Sequence, residues 1–144
     1  MMGNGLVTKV TVTVRADQDA GSGGIVWSYD CQFQPPGKGV NHGDRMHIKG
    51  TDPAEITFDL DDHTGLGLQF RGSGTDAIWI TEGPGCPGAP GDGNGEFSID
   101  PKPANKRLSI TDQNSRESEF HYRLWFDSRD GVKDYDPIII NRAI

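Results

Sequence analysis

An acidic segment in the second half of the chain has the oxygen-rich spacing of a calcium loop. Residues 92–100 read Asp-Gly-Asn-Gly-Glu-Phe-Ser-Ile-Asp, which is similar to the middle of an EF-hand. When the loop is aligned on Gly95, its first and last ligand positions fall on Pro90 and Pro101. An EF-hand needs a carboxylate at both positions, so the sequence excludes one.

A calcium-type site in another loop geometry stays open, because acidic loops of β-sandwiches can collect the oxygen ligands that calcium prefers. Its ligands would be Asp92, Asn94 and Glu96. The competing interpretation is an ordinary turn, rich in Asp and Asn, that leads into a strand.

The spacing of the other candidate groups argues against copper chemistry and hydrolysis. A blue-copper centre needs two His, one Cys and usually an axial Met, and no His or Met follows closely behind Cys86. Asp61, Asp62 and His63 are consecutive, so on a strand they cannot all point at one centre. No nucleophile elbow surrounds a serine. We therefore predict no catalytic residue, no cofactor and no enzymatic activity.

Two tryptophans lie where strand alternation can direct them away from the core. Trp79 and Trp125 each stand between two large apolar residues. If those neighbours face the core, Trp125 faces outward beside His121 and Arg123. An exposed aromatic side chain next to an arginine is a common anchor for a partner protein or a sugar ring. The predicted binding surface is Trp79, His121, Arg123 and Trp125, and the alternative is that a loop, such as the Gly/Pro-rich stretch 83–95, covers the tryptophans.

The elements that carry these residues are short runs of alternating apolar and polar residues, which predict β-strands. The clearest are 6–15, with valines at 10, 12 and 14, then 25–33, and 119–126. Further strands are predicted at 46–49, 56–60, 66–70, 77–81, 96–99, 107–111 and 137–140. No segment has a sustained helical period.

Two pairings follow from these runs. The strands at 56–60 and 66–70 are separated by a turn at 61–65 and are expected to form a hairpin. The terminal run 137–140 contains three isoleucines after Pro137. Because proline lacks an N–H group, we expect a final edge strand that closes a sheet or pairs with a second copy of the chain.

Many short strands at a spacing of about ten residues indicate one all-β domain over residues 1–144. The 20 glycines and 9 prolines fit tight turns between strands. We predict a two-sheet antiparallel β-sandwich with Greek-key connections, either immunoglobulin-like or cupredoxin-like.

The net charge of −7 would repel nucleic-acid phosphates and anionic membranes. The N-terminal residues lack the pattern of a signal peptide, and no apolar stretch is long enough to cross a bilayer, so we expect a cytoplasmic protein. In a reducing compartment Cys31 and Cys86 should both be free thiols.

Two stretches carry a resemblance to a known family. The ending at 135–141, Tyr-Asp-Pro-Ile-Ile-Ile-Asn, and the strand at 121–125, His-Tyr-Arg-Leu-Trp, resemble the DP-EP family of small bacterial proteins of unassigned activity. The chain departs from the family pattern at Ile138, where an acidic residue would be expected. The resemblance covers about the last quarter of the chain and implies a bacterial source and a β-sandwich, without catalytic residues.

The absence of a catalytic motif and the aromatic-rich strands together favour a non-enzymatic β-sandwich that binds or assembles with another protein. The alternative is a divalent-metal-binding protein that uses the acidic loops. We expect neither nucleic acid nor a membrane as a partner.

Overall fold

The computed structural model describes residues 7–142, so Leu6 of the predicted first strand and the two ends of the predicted domain lie outside it. The strands in chain order are β1 (Thr8–Gln18), β2 (Ile25–Gln34), β3 (Gly39–His42), β4 (Arg45–Ile48), β5 (Ala54–His63), β6 (Gln69–Phe70), β7 (Ile78–Glu82), β8 (Phe97–Ile99), β9 (Arg107–Asp112), β10 (Ser118–Asp127), β11 (Lys133–Tyr135) and β12 (Ile138–Asn141). A 3-10 turn covers Pro36–Lys38, and one short helix, α1, covers Gly74–Ala77. Within residues 7–142, no helix is long and apolar enough to span a bilayer.

The strands form two sheets that pack face to face, which confirms the predicted all-β sandwich. The first sheet has the order β2-β1-β5-β9-β8. In the second sheet, one edge of β10 pairs with β11 and β12, and the opposite edge pairs with β6 and β7. Beyond β12 the sheet continues through β4 to β3. Strand β10 therefore lies at the centre of the larger sheet.

Side-chain alternation supplies the core between the sheets. In β1, Val10, Val12 and Val14 are buried while the residues between them face outward. In β10 the same alternation buries Phe120, Tyr122, Leu124 and Phe126. Phe58 of the first sheet meets Tyr122 of the second, with ring centroids 5.6 Å apart. Burial of each such large side chain contributes about 1.5–3 kcal/mol.

Both sheets are mixed rather than purely antiparallel. Strand β1 runs parallel to β5 over ten residue pairs, and β12 runs parallel to β4. Between β1 and β5 the chain crosses to the second sheet to form β3 and β4, and then returns. A period of two specifies which face of a strand is buried but not the direction of its neighbour, so the sequence could not reveal these parallel pairs.

The predicted hairpin between residues 56–60 and 66–70 is wrong. Strand β5 pairs with β1 and β9, whereas β6 pairs with β10 in the opposite sheet. The Asp62 carboxylate holds the turn after β5, because it accepts hydrogen bonds from the Thr64 hydroxyl and from the backbone N–H groups of Thr64 and Leu68. Beyond this turn the chain enters the second sheet, where Leu68 and Phe70 are buried.

The predicted terminal edge strand is also wrong. Strand β12 lies inside the second sheet, between β10 and β4. Pro137 precedes the strand, so its missing N–H group removes no ladder hydrogen bond from β12 itself. Self-association through this edge is therefore blocked by the chain's own neighbouring strands.

Candidate functional site

The outer face of the second sheet brings the four predicted binding residues together. Strands β7 and β10 are antiparallel neighbours, and Trp79 lies directly opposite Arg123. The intervening residues of both strands, such as Ile80 and Tyr122, fill the core. Because strand side chains alternate between faces, Trp79, His121, Arg123 and Trp125 all lie on the outer face. We call these four residues the tryptophan patch.

The two tryptophans contact each other. Their ring centroids are 4.8 Å apart with an interplanar angle of 57°, within the range of favourable aromatic pairs. The Arg123 guanidinium carbon lies 5.2 Å from the Trp125 ring centroid, a cation–π distance. Both tryptophans are half-buried, so the patch is neither fully exposed nor fully covered.

Carboxylates on the β11 side hold Arg123 in place. Its Nε atom lies 3.0 Å from Asp136 Oδ1 and 3.3 Å from Asp134 Oδ2. One terminal N–H group of the guanidinium also donates to the Cys86 sulfur. These contacts fix the arginine over the Trp125 ring.

The Gly/Pro-rich loop reaches one edge of the patch through Cys86. This residue is exposed and its thiol is free. Desolvation and the neighbouring Asp136 carboxylate raise the pKa of the Cys86 thiol, and this outweighs the opposing effect of Arg123. The thiol is therefore protonated at neutral pH and acts as an acceptor for Arg123, not as an activated nucleophile.

His121 is engaged within the second sheet. Its Nε2 atom lies 2.7 Å from Glu119 Oε2, and Arg45 of β4 approaches the other oxygen of Glu119 at 3.9 Å. The outer face of this sheet therefore presents aromatic rings whose charged neighbours are already paired. Such a surface offers aromatic contact area and stacking, while its charged groups are satisfied within the chain.

The three candidate calcium ligands do not converge. Asp92 Oδ1 accepts the backbone N–H of Gly95 and so closes its own turn. The Asn94 amide donates to Glu82, and Glu96 is only 1% exposed and points into the interior. Within residues 7–142, no three His, Cys, Asp or Glu side chains are grouped so that they could hold a metal ion.

Glu96 belongs instead to a buried polar cluster that joins the two sheets at one end of the sandwich. Its carboxylate accepts hydrogen bonds from the backbone and hydroxyl of Ser115, from Arg116 and from the Asn141 amide. The same Asn141 amide donates to Asp112 Oδ1 at 2.9 Å. Asp112 ends β9 in the first sheet and Asn141 ends β12 in the second, so this amide connects the sheets.

Asn114 ties a further segment to the cluster. Its amide donates to the carbonyl oxygens of Gly50 and Asp52 in the connection between β4 and β5. Its backbone N–H donates to Asp112 Oδ1, and its own carbonyl accepts from Arg142. We call Glu96, Asp112, Asn114 and Asn141 the buried junction. All four are at most 1% exposed.

Sequence reasoning missed Asp112, Asn114 and Asn141, although part of the signal was present. The predicted strand 107–111 directs Leu108 and Ile110 inward, and one more step of the alternation places Asp112 on the same face. Asn141 likewise follows the predicted run 137–140 by one residue. No pattern in either strand shows that the two side chains meet, because they come from different sheets.

Two comparisons of the chain with known proteins found no match. No family model matches the chain. No curated protein gives a significant match to it.

Proposed function

We propose that this chain is a non-enzymatic β-sandwich that acts as a binding or assembly module for another protein, with the tryptophan patch as its contact surface. The observation that supports this most is the contact between Trp79 and Trp125 on an outer sheet face, with Arg123 held over one ring. Tryptophan and arginine are the residue types most enriched among side chains that dominate protein–protein binding energies.

The position of the two indoles supports a binding role over a packing role. Ile78, Ile80 and Leu124 already fill the core side of β7 and β10, so stability of the sandwich does not require two large rings on the other side. Both rings are half-buried and touch each other, and apolar surface that is clustered, unlike single scattered residues, is typical of interaction sites.

The fixed position of Arg123 favours binding for a second reason. A side chain that is ordered before binding loses less conformational entropy when a partner arrives. Asp134 and Asp136 order this guanidinium in the free protein.

A groove of about 410 Å³ lies beside β7, between residues 80–82 and the loop at 87–94, and offers space for a protruding side chain of the partner.

The stretches at 121–125 and 135–141, on which the resemblance to the DP-EP family rests, overlap this surface. They contain Arg123, Trp125 and the pairing residue Asp136. Membership of that family remains a prediction. If it holds, the shared motif contains three of the four patch residues, namely His121, Arg123 and Trp125.

The test compares partner capture by the native chain with capture by a patch variant, using isotope-labelled extract of the source cells. The variant carries Trp79→Ser and Trp125→Ser, and the matched control carries Val26→Ser, a change at an apolar residue 53% exposed on the first sheet. We expect one protein to be retained by the native chain and the control and lost by the patch variant. That protein, once purified, should change the tryptophan fluorescence of the native chain on titration.

The proposal fails if the captured protein binds the patch variant as tightly as the native chain in that titration. Circular dichroism of both variants must show the native sheet spectrum, so that loss of binding is not loss of fold. Sedimentation of the native chain alone reports self-association. A dimer abolished by the patch changes would identify a second copy of the chain as the partner.

A further inference from the structure

The two carboxyl groups of the buried junction have opposite hydrogen-bonding environments. Both oxygens of Glu96 accept hydrogen bonds, from Ser115, Arg116 and Asn141. Asp112 accepts two hydrogen bonds at Oδ1, from the Asn114 backbone and the Asn141 amide. Its Oδ2 atom is buried and has no hydrogen-bond partner among the described residues.

In the neighbouring side-chain amides, the oxygen atoms lack a hydrogen-bond donor, whereas the NH₂ groups have acceptors. The NH₂ groups of Asn114 and Asn141 are both used. Their Oδ1 atoms are buried and, like Asp112 Oδ2, have no partner within residues 7–142. A buried acceptor without a donor costs about 1–3 kcal/mol. One additional proton in this cluster would satisfy two such atoms at once.

The charges that face Asp112 do not compensate for a second buried anion. Glu96 faces it from the segment before β8, and Arg116 is the cation that opposes this repulsion. Arg116 is shared, since its guanidinium lies 2.8 Å from Glu82 Oε1 and 3.5 Å from Glu96 Oε1. Arg142 contacts the backbone carbonyl of Asn114, not a carboxylate. Two buried carboxylates close together strongly favour sharing of one charge.

We propose that the buried junction holds a single negative charge on Glu96 and that Asp112 carries a proton on Oδ2, which it donates to the side-chain oxygen of Asn141 or Asn114. Asp112 is then the proton-dependent latch between the two sheets. In mild acid, protonated Asp112 joins the end of β9 to the end of β12. When Asp112 loses the proton, the junction contains a second, incompletely paired anion. The contact between Asp112 and Asn141 at the end of β12 is then weaker.

Desolvation supports this assignment, because burial raises the pKa of Asp112 to about 6 despite the hydrogen bonds from Asn141 and Asn114. The folded pKa lies above the ordinary value of 3.8, so the folded state binds the proton more tightly than the unfolded chain. The stabilisation is fully present below about pH 4 and is lost as the pH rises toward and through about 6.

The direct test is a pH titration of the Asp112 side-chain carboxyl carbon by NMR in the native chain. We expect a midpoint near 6, and a midpoint at or below the ordinary value would overturn the proposal. This measurement needs no variant and remains decisive even if substitutions at the junction prevent folding.

Melting temperatures at pH 5.5 and 7.5 test the assignment between the two carboxyls. The variant Asp112→Asn mimics the protonated acid, so we expect it to melt at least as high as the native chain at pH 7.5. Its gain on acidification should be smaller than that of the native chain. The variant Glu96→Gln places an NH₂ group against existing donors and should melt lower. The control Asp130→Asn, in an exposed turn, should retain the native pH dependence.

Two outcomes would refute the latch. One is an Asp112→Asn variant that melts well below the native chain at pH 7.5 and keeps the native gain on acidification. The other is a fall in the native melting temperature at pH 7.5 on addition of EDTA that Asp112→Asn no longer shows. The second result would mean that the junction holds a cation in place of the proton.

Discussion

Carboxylates accept hydrogen bonds both beside the tryptophan patch and in the buried junction, but in different surroundings. At the patch, the Arg123, Asp134 and Asp136 side chains remain 24–42% exposed. At the junction, Glu96 and Asp112 are at most 1% exposed. Water solvates an exposed charge when its partner is lost, whereas a buried charge has only the protein. Loss of a hydrogen-bond partner should therefore cost little stability at the patch and much more at the junction.

The largest effect is expected at the junction. Replacement of Asn141 by Leu removes the donor shared by Glu96 and Asp112 and leaves buried carboxyl oxygens without it. We expect the free energy of unfolding to fall by about 3 kcal/mol, measured by urea denaturation. The control Asn105→Leu, at an exposed position, should change it little. A loss of the same small size in both variants would remove the contrast between the two regions.

A smaller effect is expected at Arg116, which lies at the boundary between the junction and solvent. Hydrogen bonds from Arg116, Ser118 and Asn94 lower the pKa of Glu82 to about 2. A depressed pKa adds stability above the ordinary value of 4.5, and this is lost as the pH falls toward 2. Arg116→Met should therefore lower the melting temperature at pH 7 more than at pH 2.5.

The matched control for that experiment is Arg107→Met. Arg107 pairs with Asp59 on the outer face of the first sheet, and its side chain is 65% exposed. We expect a smaller change at pH 7 than for Arg116→Met. If both variants lost the same stability at every pH, the low pKa of Glu82 would have no link to Arg116.

At the tryptophan patch, removal of a charge should affect binding far more than stability. Arg123→Gln breaks a partly exposed pair, so we expect the free energy of unfolding to fall by less than about 1 kcal/mol. In the fluorescence titration with the captured protein, the same variant should bind markedly more weakly. A large loss of stability without loss of binding would assign Arg123 a structural role.

The smallest effect concerns the two thiols, which report exposure without any substitution. Cys86 is exposed, whereas Cys31 is largely covered and burial raises its pKa to about 12. With a thiol reagent at pH 8, we expect Cys86 to react promptly and Cys31 only after denaturation. Equal rates for both would show that the first sheet opens around Cys31 in solution.

Parts of the fold and of the candidate site could be predicted because they depend on local alternation. The outward direction of Trp125, Arg123 and His121 followed from the inward Leu124 and Phe126. The hairpin at 56–70 was wrong because β5 and β6 pair with strands from distant parts of the chain, in different sheets. The edge assignment of 137–140 was wrong because the neighbours of β12 come from distant parts of the chain.

By itself, the sequence determined the approximate position of most strands and the side of each that is buried, since a period of two is a property of each strand alone. It did not predict the short strands β3 and β11. Tertiary structure decided which strands are neighbours, which pairs are parallel, and that Asp112 and Asn141 meet. Those features depend on packing between segments far apart in the chain. The desolvation that raises the pKa of Asp112 exists only once both sheets have closed over it.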